Sequence, residues 1–593
     1  MTLAAALNIS LSGIRTTSLQ LEQTASNISN ASSEGYTTKK INTTSASLGT
    51  IGGGVLVSGF SRSENAALFT TLSSATSEAS YRATQDNYLQ QVMDIWGTSS
   101  SDNPAISSVV ADFINSWNTL SATPESQINQ RQVVSDAEAL CDEVQRLAGE
   151  VESLDRQCAN DITSTIADLN SYLQQVQDFN IKIAQAENSG FSSGDQKDQR
   201  DQIVLKIAAL MDVTVMDRPN GQIALYSDSG YQLVDGATVR DFSYNGTIVT
   251  NSSNTSLSLN SALTGGKLQA LIDFRADTST SVTATNISAS LTDANTYLSQ
   301  IQTLNATIVS EQALGNDTTA LEATRATTVT NLSSIIAVNT TANADGSIDI
   351  TTDDGTVLLN ATSMAVLSFN GDHVTDAAHP SVALEDSLTG GSLEVQIHSY
   401  SGTASVSTDQ ATSVIQKLRD QLDEIVRAFT DTVTTATSGL GSFASAYNNA
   451  TTGAGELASS FFVGTSRTTF AVNSALTDGT SALKSMAASD VSDALLDSTR
   501  SFSADGLTLT NTTYSTLVTS SLTGFQQAAS NIATLSTTAD GSRTYLQEKL
   551  TNETAVNTDN ELVSLVNYQN AYAASAHVMS VIQELFQTLQ NLL

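Results

Sequence analysis

From Glu561 to the last residue the sequence has neither Pro nor Gly, and a mostly apolar stripe recurs at Leu565, Tyr568, Tyr572, Ser575, Met579, Ile582, Phe586, Leu589 and Leu593. Steps alternating between three and four put the stripe on one face of a helix, and its seven-residue repeat favours a coiled-coil seam over the free helical period. A single helix in water cannot cover such a seam, so the fold must supply a partner. At the other end Ala4, Leu7, Leu11, Ile14, Ser18, Leu21, Ala25 and Ile28 repeat the same spacing. Two terminal seams suggest that the ends of the chain meet. Periodicity alone leaves two readings open, a coiled coil or two ordinary amphipathic helices on one globular core.

A chain of 593 residues should hold several domains, because single cores stop growing well below that length. Its 40% hydrophobic content is enough for packed cores, whereas 5% aromatic and 14% charged residues leave the surface to Ser, Thr, Asn and Gln. With 25 basic against 60 acidic residues, the net charge of -35 opposes binding to nucleic acid or anionic lipid. Cys141 and Cys158 fall within one helical stretch, about 25 Å apart along a straight helix, which excludes a disulfide; they read as small buried residues. No apolar run reaches the length of a membrane span. Met1 to Ser12 lacks the basic start of a cleaved secretory signal, so the chain is expected either to be cytoplasmic or to leave by a route that needs no such signal.

Residues 63–96 and the stretch between Pro104 and Pro124 carry helical periodicity, and 125–187, almost free of Gly and Pro, predicts a long rod-like helix. Gly35 ends the first helix, and Ile51 to Phe60 reads as a short extended segment. From Val213 the pattern changes to short β-prone runs separated by turn signals such as Asn220-Gly221 and Asn245-Gly246. A shift of 125 residues then superposes Asn180 on Asn305, Arg200 on Arg325, Gly221 on Gly346, Ile223 on Ile348, Leu233 on Leu358, and Leu263-Thr264-Gly265-Gly266 on Leu388-Thr389-Gly390-Gly391. About a quarter of positions over 172–275 are identical without a gap, which predicts two copies of a helix-plus-β unit in tandem. A helix resumes from Val414 to Val433, a Gly/Ser/Ala/Thr-rich segment runs from Ser438 to about Gly455, and Ser515 to Leu550 is helical with an expected interruption at Asp540-Gly541. Helices on both sides of the β units predict a chain that goes out and returns, with the termini at one end and the β copies at the other.

No catalytic, cofactor-binding or metal constellation is legible. His373, His379, His398 and His577 are scattered without metal-ligand spacing. Gly52-Gly53-Gly54 lacks the Lys-Ser/Thr of a phosphate loop. The one dense charge cluster, Asp198-Gln199-Arg200-Asp201, reads as a helix-start network of ion pairs.

Ser26-Asn27-Ile28-Ser29-Asn30-Ala31 with Gly35-Tyr36, and at the other end Asn557 to Leu562 with Tyr568-Gln569-Asn570-Ala571-Tyr572-Ala573-Ala574, resemble the paired terminal signatures of the flagellar rod, hook and hook-associated axial proteins. Glu34 and Ser29 stand where that pattern usually has Pro and Ala. Gly52-Gly53-Gly54-Val55 with Arg62, Pro124 with Arg131, Asp198 to Asp201, and Ser229-Gly230 with Leu233-Val234 place the resemblance nearer a hook–filament junction subunit than hook protein or flagellin. It covers roughly 1–275 and 410–593, and says nothing of 297–400.

The expected fold is mainly α with inserted β domains: paired terminal coiled-coil helices (1–62 and 555–593), an elongated helical-bundle domain (63–195 and 406–554), and two duplicated mostly-β outer domains (196–280 and 281–405). The resemblance implies a non-enzymatic structural subunit of the bacterial flagellum. It would be exported unfolded through the type III apparatus and held by an export chaperone at its C-terminal helix. Its partners would be itself in a ring, hook protein, and a second junction protein or flagellin. The expected assembly surface is Leu7, Leu11, Ile14, Leu21 and Ile28 with Leu565, Tyr568, Tyr572, Met579, Ile582, Phe586 and Leu589, ordered only when neighbouring subunits cover it. The alternative is a secreted surface protein or adhesin that binds a ligand through its β units.

Overall fold

A computed structural model describes residues 3–48, 51–97, 105–236, 238–246, 248–251, 259–260, 263–275, 284–315, 318–352, 354–361, 363–369, 373–378, 384, 387–388, 393, 413–432 and 440–592. Pro104, His379, Thr389 to Gly391, His398, Val433, Ser438 and Leu593 lie outside these, as does the side chain of Ala4. The fold is mainly α-helical with small antiparallel sheets.

Helix α1 (Leu3–Ser29) is followed by a hairpin of β1 (Lys39–Leu48) and β2 (Ile51–Arg62), then by α2 (Ala66–Gly97), α3 (Ile106–Ala122), α4 (Gln127–Asn188) and α5 (Gly194–Leu210). The sequence pointed only to the second strand. In β1 the run of Asn, Thr, Ser and Ala between Ile41 and Leu48 hides the strand, which forms because β2 supplies partners from Lys39 opposite Arg62 to Leu48 opposite Ile51. The predicted rod is α4, 62 residues and about 93 Å at helical rise. Ser126 caps it by accepting from the amide of Asn129. Cys141 and Cys158 are both free and buried on it.

After α5 the chain forms β3 (Val213–Asp217), β4 (Ile223–Ser227), β5 (Gln232–Asp235) and β6 (Thr238–Val239) in one sheet, a ribbon of β7 (Phe242–Tyr244) and β8 (Val249–Asn251), and α6 (Gly266–Arg275). Two asparagines fasten these strands to α4. Asn180 donates to Ile223 O (2.8 Å) and accepts from Ile223 N (3.0 Å), while Asn170 does the same with Phe242 O (2.8 Å) and Phe242 N (2.9 Å). Arg200 Nη1 donates to Gly221 O at 2.7 Å. Asn180→Ala would leave both backbone groups of Ile223 buried without their partner, which is expected to cost about 1–3 kcal/mol and to speed hydrogen exchange at the start of β4.

Next come α7 (Ala284–Ala313), α8 (Thr319–Ile335), a sheet of β9 (Asn339–Ala342), β10 (Ile348–Thr351) and β11 (Val357–Leu359), and a ribbon of β12 (Leu367–Phe369) and β13 (Val374–Asp376). Here Asn305 donates to Ile348 O (2.8 Å) and accepts from Ile348 N (3.2 Å), Asn295 brackets Leu367 O and N (both 2.8 Å), and Arg325 Nη1 donates to Gly346 O at 2.8 Å. Each bond lies 125 residues beyond its counterpart in the preceding segment.

The return limb holds α9 (Val414–Thr430), α10 (Phe443–Asn449), the pair β14 (Phe462–Val463) and β15 (Ala471–Val472), α11 (Ser474–Thr477), α12 (Ala488–Leu496), the hairpin β16 (Arg500–Ala504) and β17 (Leu507–Thr512), α13 (Tyr514–Thr554) and α14 (Thr558–Leu592). Within the segment read as Gly/Ser-rich, α10 forms because Phe443 and Tyr447, four apart, both bury. The expected break at Asp540-Gly541 does not occur. The glycine sits on an exposed face of α13, where it costs only about 1 kcal/mol relative to alanine, and Arg543 pairs with Asp540 at 2.7 Å.

Among the described residues two separate apolar cores are built. The larger runs from Trp96, Phe113 and Trp117 along α4 to Leu225, Phe242 and Leu268, and takes in α9 to α13; the smaller gathers Leu298, Ile301, Ile336, Ile350, Leu358 and Leu388. In the larger core most of the chain's aromatic rings converge, with Trp117 5.6 Å from Phe461 and Phe429 stacked on Tyr514 at 5.0 Å. Glu152 of α4 holds α9 and the return limb through Arg419 (2.7 Å) and Arg467 (3.3 Å). The Arg419 hydrogen bonds hold its carboxyl below the usual carboxylate range, outweighing burial, with Arg467 adding to the effect. A depressed folded pKa gives stability that is present above the unfolded value, about 4.5, and lost as pH falls through the folded one. The denaturation midpoint of the larger core should therefore fall as the pH drops below about 4.5, and Glu152→Gln should flatten part of that fall.

Candidate assembly site

The ends of the chain do meet. Helices α1 and α14 pack antiparallel: the Asn27 amide donates to Glu561 (3.1 Å), and fourteen residues further along both helices Gly13 faces Ser575 so closely that an added Cβ would come within 3.2 Å of its hydroxyl. Two contacts two heptads apart keep one register. The hairpin covers another side of α1, where Val55 N donates to Ser12 Oγ (3.2 Å) and Gly54, at φ +101, approaches Ser12 and the Ile9 backbone too closely for any side chain.

Which face of α1 packs differs from expectation. The buried positions are Ser10, Thr16, Thr17, Thr24 and Asn27, while the predicted seam residues Leu7, Ile14, Leu21 and Ile28 are only half-buried and Leu11 is exposed. Small hydroxyl side chains let α1 lie close to its neighbours inside the chain, which displaces the larger apolar residues to the flank. On α14 the predicted stripe is the more covered face as far as Ile582: Leu565, Tyr568 and Met579 are half-buried, Tyr572 is exposed, and Ile582 is 5% exposed. Beyond it Phe586 and Leu589 are 44% and 57% exposed.

A second stripe on α14 was not read from the sequence. Ala571, Ala574, Val578, Val581 and Leu585 each precede a member of the predicted seam by one residue and are all exposed. A one-residue offset places them about 100° around the helix, so the apolar surface of α14 covers more than one helix can bury.

At the root of this pair the hairpin, the start of α5 and the end of α13 converge. Asp198, at the start of α5, accepts from Thr37 N (3.0 Å), Thr37 Oγ1 (2.8 Å), Lys39 Nζ (2.8 Å) and Arg62 Nη1 (2.9 Å). Arg62 also reaches Asp201 at 2.6 Å and Lys39 reaches Asp195 at 2.8 Å. Burial alone would lower the pKa of Arg62, but Asp201 and Asp198 outweigh it and hold the guanidinium firmly charged; Asp195 and Asp198 do the same for Lys39. The cluster read as a local helix-start network keeps one local pair, Arg200 with Asp201 at 3.5 Å, while its two aspartates find partners far away in sequence, on the hairpin. Asn27, 1% exposed, closes the node by accepting from Tyr36 Oη (3.0 Å) and Lys39 N (3.3 Å) and donating to Lys39 O (2.9 Å), while Thr38 N donates to Thr554 O (2.9 Å). These polar partners carry no periodicity, which is why only the resemblance singled out Asn27 and Arg62.

A cavity of about 360 Å³ lies beside the node, lined by residues 31–37, Arg62 to Ala66, Phe69, Thr70, the start of α5, Val215, Asp217 and Ile223, and part of Gln547 to Ala555. The strands β3 and β4 therefore reach the root of the terminal helices, not the opposite end as expected, because α5 starts against Lys39 and runs straight into β3. Among the described residues no helix is long and apolar enough to cross a membrane.

The sequence profile described as "Flagellar hook-associated protein FlgK helical domain" matches residues 89–286 and again 277–441, together more than half of the chain. The chain belongs to the FlgK family of flagellar hook-associated proteins. A second profile, "Flagellar basal body rod FlgEFG protein C-terminal", matches 551–592, the span of α14 and its lead-in. Family relatives named flagellar hook-associated protein 1 include those of Salmonella typhimurium, 28% identical over 241 residues (40% of this chain, 43% of the relative), and Escherichia coli, 25% identical over 241 residues (40% and 44%). That of Bacillus subtilis is 24% identical over 222 residues (35% and 43%). The matches thus span less than half the length of these relatives. A solved structure of the flagellar hook junction protein FlgK from Burkholderia pseudomallei aligns with TM-score 0.31 and 17% identity, over 52% of this chain and 59% of that one.

Proposed function

We propose that the chain is a structural subunit of the bacterial flagellum at the junction between hook and filament, assembled through α1 and α14 after type III export. The observation that carries this is the unfinished terminal pair. Its apolar flank on α1, with Leu7, Leu11, Ile14, Leu21 and Ile28, is left partly open, and α14 carries two adjacent apolar stripes of which α1 covers one. A helix with two adjacent apolar stripes is at home among several neighbours, and copies of the same subunit in a ring supply them. Leu565, Tyr568, Tyr572, Met579, Ile582, Phe586 and Leu589 belong to this surface, and Val578, Val581 and Leu585 are added to it. Hook protein on one side, a second junction protein or flagellin on the other, and an export chaperone on α14 before assembly complete the partners. The ligand-binding alternative draws no support from the relatives, all named as hook-associated proteins.

In this reading 1–62 with 555–593 is the assembly unit, 63–195 with 406–554 the helical body, and 196–280 and 281–405 are two outer units derived by duplication. The equivalence of Asn180 with Asn305, Asn170 with Asn295 and Arg200 with Arg325, each in the same hydrogen bonds, supports the duplication, as do the two matches of one family profile. Deletion of 555–593 should abolish attachment of filaments to hooks in electron micrographs while the tryptophan-bearing core stays folded; normal motility of cells carrying the deletion would sink the proposal. Val581→Asp and Leu585→Asp, on exposed positions, should leave the monomer's stability within about 0.5 kcal/mol and still impair attachment.

A further inference from the structure

The two outer units share a scaffold and differ in their charges at the helix that follows their long helix. In the first, α5 presents Asp195, Asp198 and Asp201 to Lys39 and Arg62. In the second, the positions 125 residues on are Ala320, Ala323 and Ala326 on α8, although Arg325 between them keeps its bonds to Asn305 Oδ1 and Gly346 O, both at 2.8 Å. The neighbouring pair has changed as well: Lys197 with Glu187 at 2.8 Å becomes Glu322 with Gln312 at 3.1 Å. Scaffold contacts are retained where the docking charges are not.

We infer that Asp195, Asp198 and Asp201 are positioning residues that select the first unit, and not its copy, as the seat of the terminal helices, by accepting the two cations at the open end of the hairpin. Lys39 and Arg62 face each other across the last rung of that hairpin, and their charges converge on one buried carboxylate, Asp198, which is 6% exposed. Alanine has no oxygen to offer either cation. Seating a buried Lys or Arg against such a surface would strand its charge, so α8 repels the hairpin where α5 holds it. The selection sets the direction in which α1 and α14 leave the body of the subunit. It uses the reading of the two units as copies, and is independent of the junction role.

The test is hydrogen exchange on the full chain. Asp195→Asn, Asp198→Asn and Asp201→Asn together keep shape and remove charge, and should speed exchange across β1 and β2 roughly tenfold to hundredfold. The tryptophan-reported unfolding midpoint of the larger core should stay in place. Lys39→Met with Arg62→Met should produce the same loss, and all five substitutions together should cost no more than either set, as coupled partners require. Unchanged exchange in the asparagine set, or strictly additive losses, overturns the inference, since a merely structural role for these positions gives no coupling to Lys39 and Arg62. Ala320→Asp, Ala323→Asp and Ala326→Asp together in the otherwise native chain should leave exchange across β1 and β2 unchanged, because Lys39 and Arg62 stay paired on α5. The copy reading is checked separately: Asn305→Ala should speed exchange at β10 as Asn180→Ala does at β4, and failure there alone would remove the comparison while leaving the docking by three carboxylates standing.

Discussion

Trp117→Ala should destabilise the larger core by about 3–5 kcal/mol, the range for removing a buried indole. The residue is fully buried, with the rings of Phe113, Phe443, Tyr447 and Phe461 within 6.4 Å of its own. No single neighbour can fill the space left behind, so the cavity term adds to the lost transfer energy. Trp117→Phe should cost much less, about 1–2 kcal/mol, because the indole nitrogen makes no hydrogen bond that phenylalanine would forfeit. Both tryptophans of the chain, Trp96 and Trp117, sit in this core and none in the smaller one. In Trp117→Ala the fluorescence of Trp96 should therefore report an earlier urea transition, while hydrogen exchange in α7 and α8 keeps its native rates. A matching loss of protection in α7 and α8 would show that the two cores unfold as one.

Asn27→Ala is expected to have the largest effect on the terminal unit, about 2–3 kcal/mol. The side chain serves the amide and carbonyl of Lys39, the phenol of Tyr36 and the carboxylate of Glu561, and both Lys39 and Glu561 are themselves buried. Removing it leaves a backbone amide, a backbone carbonyl and a charge without their shared partner, and each pays its desolvation unaided. Proteolysis within 1–62 and 558–592 should accelerate roughly thirtyfold to hundredfold, taking 1.4 kcal/mol per decade, while the urea transition seen by tryptophan stays where it is. Native proteolysis rates in this variant would mean that α1 and α14 are held by their apolar contacts alone, and the node at their root would lose its assigned role.

The long helices were legible from the amino acids because their apolar residues repeat at helical spacing over many turns, as in α4 and α13, and period alone decides such elements. The repeated spacing of Asn180, Arg200 and Gly221 at 305, 325 and 346 was equally visible, since a shift in register needs no structure to be seen. Local pattern failed at α10 and at the return limb around Phe461 and Phe470, where isolated aromatic residues acquire meaning only by converging on Phe113 and Trp117. It failed again at β1, a polar strand whose existence depends on its partner.

At the terminal site the sequence by itself determined that both ends carry apolar seams and must find cover. Only the tertiary structure decided that Ser10, Thr17, Thr24 and Asn27 form the inward face of α1, that α14 bears a second open stripe, and that Asp198 gathers Thr37, Lys39 and Arg62. The physical reason is range. Helical periodicity is a property of neighbours three and four residues apart, whereas close backbone approach and the pairing of buried charges are settled between segments that meet only after the chain has folded back on itself.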